Sequence, residues 1–147
     1  MDKLDEIFLK QAELNDGIFA KQGIRGPDGK VLTMEAIEAA LRREELGPNG
    51  LPNQWLRNYL TALKAEAQEI EQDLLWKWWS KDRIDLQNIR VEIVDLMHFL
   101  TSMALVAGLS PEDFHRLYVK KHAVNVQRQD QGYSKETKNE ADNKGVL

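Results

Sequence analysis

The chain has 147 residues, a formal net charge of -4 at pH 7 and no cysteine. That length fits one domain. The acid excess argues against a surface built to grip a nucleic-acid backbone, and the missing thiols exclude disulfides, thiol catalysis and cysteine-ligated zinc. The opening residues Met1 to Glu6 are charged and lack the apolar run of a signal peptide. The most apolar stretch, 93–109, contains Asp95 and His98, which argues against a membrane span. A cytoplasmic chain is the expectation.

Hydrophobic spacing then predicts an all-α protein of about five helices, an antiparallel bundle completed by dimerisation. A first helix is expected from Asp2 to Asn15, with Leu4, Ile7, Phe8, Gln11, Leu14 and Asn15 near one face. Asp16-Gly17 should end it. The segment 17–32 holds Gly26-Pro27-Asp28-Gly29 and reads as a loop or short hairpin. Thr33 is placed to cap a short helix over 34–45. Gly47-Pro48-Asn49-Gly50 breaks the chain, and a third helix starts near Pro52 and runs to about Trp79. A fourth runs from the Asp82–Asp85 region to Ala107, closed by Gly108. Ser110-Pro111-Glu112-Asp113 opens a fifth, which reaches about Gln129. The domain is expected to end near residue 133. The polar tail 134–147 should be flexible or ordered by a ligand.

Two acidic pairs carry the first chemical signal. Glu66 and Glu69 are three residues apart on the third helix, and Glu92 and Asp95 are three apart on the fourth. That spacing puts each pair on one side of its helix. Glu92-x-x-Asp95 is set in an apolar run, Ile89 to Leu100, which should be buried almost all round. Buried carboxylates need a cation or a proton. Taken alone, Glu66-x-x-Glu69 is better read as a solvated or ion-paired surface pair. Two pairs on packed helices favour a hard divalent ion, and Mg²⁺ suits oxygen donors of this kind.

Lys121, Asn125 and Arg128 share a face of the fifth helix, just before Gly132-Tyr133. Beside an acidic metal site, these groups suit a metal-bound polyphosphate. Trp76-Lys77-Trp78-Trp79 puts three indoles within four positions. They cannot all face one core, so at least one belongs to a pocket or an interface. Gln11 and Asn15 could read a pyrimidine edge with their amides, although by pattern alone they are an ordinary polar border.

The ordered set Glu66-x-x-Glu69, Trp76-Lys77-x-Trp79, Glu92-x-x-Asp95-x-x-His98-Phe99 and Asn125-x-x-Arg128-Gln129-x-x-Gly132-Tyr133 resembles the dimeric dUTPases. These belong to the all-α NTP pyrophosphatase superfamily, together with the MazG-like enzymes. Gln11-x-x-Leu14-Asn15-Asp16 is similar to the family's first helix, and Asp142-Asn143 weakly resembles its C-terminal motif. The resemblance implies hydrolysis of dUTP to dUMP and pyrophosphate by a homodimer or higher oligomer. It implies two or more Mg²⁺ ions, with Mn²⁺ as a substitute, held by Glu66, Glu69, Glu92 and Asp95, and Glu69 as the base. It gives the phosphates to Lys77, Lys121, Arg128 and Tyr133. It gives the base and sugar to Gln11, Asn15, Trp79, His98, Phe99 and Asn125. Only Leu96 to Lys120 separates the second acidic pair from the phosphate helix, so the chain is a compact version of the pattern. Two other readings are carried: a MazG-like pyrophosphatase for another nucleotide such as dCTP, and a non-catalytic helical oligomerisation module.

Overall fold

The structure, a computed structural model, describes residues 1–132, 143, 145 and 146. Five helices are present: α1 (Lys3–Gln22), α2 (Met34–Arg42), α3 (Leu51–Asp73), α4 (Leu86–Val106) and α5 (Pro111–Asp130). Among the described residues there is no strand, only an isolated bridge between Arg25 and Val31. The chain divides into a unit of residues 1–108 and a unit of residues 109–147. Among the described residues no single helix is long and apolar enough to cross a membrane.

The first unit is held by α1 to α4. Asp2 caps α1 and shares a reciprocal capping box with Asp5. The helix does not stop at Asp16-Gly17. It continues to Gln22 and closes on Gly23 in the left-handed region, at φ 65°. The expected break fails because Phe8, Gln11, Asn15 and Phe19 form one buried stripe. Seating Phe19 in the core outweighs the roughly 1 kcal/mol that an internal glycine costs a helix. Asp16 acts across elements instead: its carboxylate accepts from the backbone N–H of Met34 at 2.7 Å. That bond ties α1 to the start of α2, where the Thr33 hydroxyl accepts from Ala36 N–H at 3.0 Å.

The core joins Phe19, Leu32, Ile37, Leu51, Tyr59 and Val106. Helices α3 and α4 make the most extensive pairing, α1 packs on α4, and α2 lies against both α3 and α4. Asp73 near the end of α3 meets Asn88 at the start of α4. Further along, Glu66 feels the charge of Asp95. The two helices are therefore antiparallel.

Two expectations need correction. Helix α3 ends at Asp73, six residues short of Trp79, and Leu74 after it is extended at ψ 150°. Bulky rings lose rotamer freedom against a preceding turn. The indoles instead pack edge-on to one another, Trp76 with Trp79 at 6.0 Å and Trp78 with Trp79 at 5.5 Å between centroids. Helix α4 is also not buried all round. Val91, Ile93, Val94 and Leu100 are each 42–56% exposed in the single chain. Four helices cannot surround it, so much of its outer face has no neighbour.

In the second unit α5 opens as the sequence suggests. Ser110 accepts from Asp113 N–H, and the Asp113 carboxylate accepts from Ser110 N–H. Lys121 donates to the side chain of Asn143 within this unit.

Candidate active site

One cavity of about 490 Å³ opens in the first unit. Ligand pockets usually span roughly 300–1,000 Å³. Its wall carries Gln11 and Asn15 from α1, Glu66 from α3, and Asp95, His98 and Phe99 from α4. Each of these was marked in the sequence as a base, sugar or metal residue. Trp55, Asn58 and Tyr59 complete the α3 side and were not marked. Their signal was available: Trp55, Tyr59, Ala62 and Glu66 recur at helical spacing on one stripe. Trp55 packs edge-on against Phe19 at 4.9 Å and leans on Tyr59 at 5.6 Å. Burial, with the charge of Asp16 as a second cause, pushes the Tyr59 hydroxyl up to about 12, so it stays protonated.

The polar groups of this wall are joined. Gln11 Nε2 donates to Asn15 Oδ1 at 2.9 Å, and Gln11 Oε1 lies 2.5 Å from His98 Nδ1. Asn15 Nδ2 reaches Ser102 Oγ at 3.1 Å and Met34 Sδ at 3.7 Å. Gln11 and Asn15 are only 5% and 3% exposed. They are built into the interior and are not the polar border their pattern suggested.

Beside the cavity the acids share one field. Burial raises the Glu66 carboxyl, and the charges of Glu69 and Asp95 raise it further. Burial also raises Glu92, helped by Asp73 and Glu69, while Asn88 opposes the shift. Among the described residues no three His, Asp or Glu side chains converge on a single ion-binding point. The acids are neighbours rather than an assembled cage. Oε2 of Glu66 and Oε2 of Glu92 are buried without a hydrogen-bond partner in the structure. An orphaned buried carboxylate oxygen is costly unless a cation reaches it. Oxygen donors of this kind fit a hard divalent ion. Asp73, unmarked in the sequence reading, lies seven residues after Glu66 and four after Glu69 on the same stripe of α3. Asn88 Nδ2 bridges it to Glu92, at 2.9 Å to Asp73 Oδ2 and 3.2 Å to Glu92 Oε1.

This field has a measurable consequence. Glu66 and Glu92 hold protons more tightly in the folded chain than in the unfolded one, where glutamate sits near 4.5. Folding then takes up protons, so stability falls as pH rises through the interval above 4.5. We expect the metal-free protein to gain thermal stability as pH is lowered from about 7 towards about 5, and the gain to shrink in Glu66→Gln. Thermal unfolding in EDTA measures it. A wild-type profile that only declines on acidification would contradict the clustering.

The remaining marked residues lie elsewhere. Trp79 is 61% exposed and packs on Trp76 and Trp78; it is not part of the cavity wall. Lys77 sits over the Trp76 ring at 5.4 Å. On α5, Lys121 is half-buried, Asn125 exposed and Arg128 buried. Tyr133, Asp142 and most of the polar tail lie outside the described residues.

Comparison with known proteins agrees with this construction. A dCTP pyrophosphatase of Enterobacteria phage LZ5 is 29% identical, with 54% of this chain aligned to 60% of that protein. The dCTP pyrophosphatase of Enterobacteria phage T4 is 32% identical, with 52% of this chain aligned to 53% of that protein. The chain thus matches a little over half the length of these curated relatives. No solved structure gives a significant match. The family model described as dUTPase matches residues 3–113. That span contains α1 to α4, the cavity and both acidic pairs, and on it the chain belongs to the dUTPase family.

Proposed function

We propose that the protein is a Mg²⁺-dependent nucleoside triphosphate pyrophosphatase that converts dUTP to dUMP and pyrophosphate. One observation carries the reading. A cavity of ligand size is lined both by amides able to read a base and by two acids of the cluster, Glu66 and Asp95. A nucleoside seated there would bring its phosphates to the carboxylates. The printed names of the phage relatives support dCTP as the second reading, with the same site and a different base.

Glu66, Glu69, Glu92 and Asp95 are the residues we assign to the metal. The ions would neutralise phosphate charge and lower the pKa of attacking water. Glu69, exposed on α3, is assigned as the base that takes the proton from that water. Asn88 and Asp73 steady Glu92. Gln11, Asn15 and His98 orient the base, while Trp55, Tyr59 and Phe99 supply apolar wall and exclude water from its faces. Lys77, Lys121, Arg128 and Tyr133 are assigned to the phosphates, and Asn125 to the sugar–phosphate, on the family pattern.

We further assign the open face of α1 and α4 to a second copy of the chain. Ile7, Leu14, Val94 and Met97 line a shallow apolar recess there, and Ile7, Leu14 and Val94 are 40–56% exposed. Such a patch seldom stays open on a monomer. Two measurements test the reading. Phosphate or pyrophosphate release from dUTP, dCTP, dTTP, dATP, dGTP and UTP, with Mg²⁺ and with EDTA, should show Mg²⁺-dependent turnover greatest for dUTP. Preference for dCTP would move the base assignment, and no turnover would favour a non-catalytic oligomerisation module. Light scattering at micromolar concentration should give a dimer or larger, shifted towards monomer by Val94→Asp; a monomeric wild type would refute the assembly.

A further inference from the structure

Ser102 is completely buried on α4 and is not part of the cavity wall. Its hydroxyl nevertheless closes the hydrogen-bonded chain behind that wall. Ser102 Oγ lies 2.9 Å from the carbonyl oxygen of His98. A carbonyl can only accept, so the hydroxyl proton is on this bond. The same Oγ must then accept from Asn15, which fixes the NH₂ side of that amide at the 3.1 Å contact. Asn15 Oδ1 is left to accept, so the group 2.9 Å away must be the NH₂ of Gln11. Gln11 Oε1 consequently faces His98, and His98 Nδ1 must carry a proton.

We propose that Ser102 is a positioning residue that sets the direction of this chain and thereby the specificity of the base pocket. The chain leaves α4 at the His98 side chain, crosses α1 through Gln11 and Asn15, and returns to α4 at the His98 carbonyl. With its direction fixed, the valences left for a ligand are fixed too. Both Asn15 hydrogens are committed, to Ser102 Oγ and towards Met34 Sδ. Asn15 keeps only a lone pair on Oδ1. Gln11 keeps one N–H. A base edge with an adjacent donor and acceptor, as uracil has at N3–H and O4, matches that pair. Reversing the chain would exchange donor for acceptor at each amide and mismatch the same edge.

The specificity part rests on the nucleotide reading above; the direction of the chain does not. Two-bond ¹H–¹⁵N correlation spectra of histidine-labelled protein read the tautomer directly. In wild type, His98 should show a protonated Nδ1. In Ser102→Ala the constraint is lost, and His98 should become a mixture of tautomers. KM for the preferred nucleotide should rise about tenfold with kcat changed far less, and discrimination between dUTP and dCTP should fall by a similar factor. Ser102→Thr, which keeps the hydroxyl, should restore the tautomer and the discrimination. A wild-type His98 protonated on Nε2 alone overturns the proposal, as does an unchanged His98 spectrum in Ser102→Ala. If the tautomer follows Ser102 but no nucleotide is turned over, the relay stands and the substrate reading fails. If turnover is normal and discrimination does not move, the proposed role in specificity is wrong.

Discussion

Glu92→Gln and Asp95→Asn should each lower kcat/KM about a thousandfold or more, a loss of ~4 kcal/mol in transition-state stabilisation. Both changes keep side-chain volume and leave one oxygen acceptor. They remove the negative charge that a hard divalent ion requires. Glu92 is the more exacting test. Its Oε2 is buried and unpartnered, while Oε1 is held by Asn88. The group is already oriented and lacks only a cation. The fold should survive, because neither substitution opens a void and the acids repel one another in the metal-free state. Circular dichroism should show unchanged helix content, and the metal-free melting temperature should hold or rise. Calorimetric titration with Mn²⁺ should show weaker binding in both variants. Near-wild-type turnover in either would remove that residue from the metal site.

Asn15→Leu should disable the pocket from the other side. Leucine is close to asparagine in shape, but it takes away one acceptor and two donors. Gln11 Nε2 loses its 2.9 Å acceptor, and Ser102 Oγ loses its donor at 3.1 Å. Leaving buried polar groups unpaired costs on the order of 1–3 kcal/mol, so a fall of several degrees in melting temperature is expected. The kinetic effect should be larger. A site built to hydrogen-bond a base tolerates the loss of its polar groups poorly. KM for the preferred nucleotide should rise by about a hundredfold, and other pyrimidine nucleotides should be treated more equally. Steady-state kinetics on dUTP and dCTP, beside a thermal melt, separate the two effects. Unaltered KM in a folded Asn15→Leu protein would exclude Asn15 from base recognition.

Much of the fold could be read from local chemistry. The caps at Asp2, Thr33, Asp85 and Ser110 are all used, because a helix start needs a side-chain acceptor within a few residues. The acidic pairs were visible for a related reason: spacing of three residues fixes which side of a helix a group faces, whatever packs there. Gln11 and Asn15 were visible as positions but not as interior groups. Amides at a helical border and amides inside a core have the same spacing, and only the packing of α1 on α4 tells them apart.

The end of α3 shows the limit from the other direction. Lys77 and the three tryptophans follow Asp73 without a proline or glycine between them, so no local signal stops the helix there. What stops it is a choice among distant partners, which propensity does not record. Trp55 and Tyr59 were overlooked because aromatic positions on a stripe are core in most helices. The cavity exists only because α1, α3 and α4 leave space between those rings and His98.

By itself the sequence determined the helix count, the caps, the pairing of acids on single helix faces and the residue types able to bind metal and nucleotide, because each depends on neighbours within about two turns. The tertiary structure decided which residues meet. It brought Asp73 and Asn88 to Glu92, placed Ser102 behind Asn15, and left one face of α4 open. Those outcomes turn on contacts between residues up to 87 positions apart, as Asn15 and Ser102 are. Only helix packing fixes such contacts, since burial of apolar area is blind to direction and hydrogen bonds form only where packing has already set the distance.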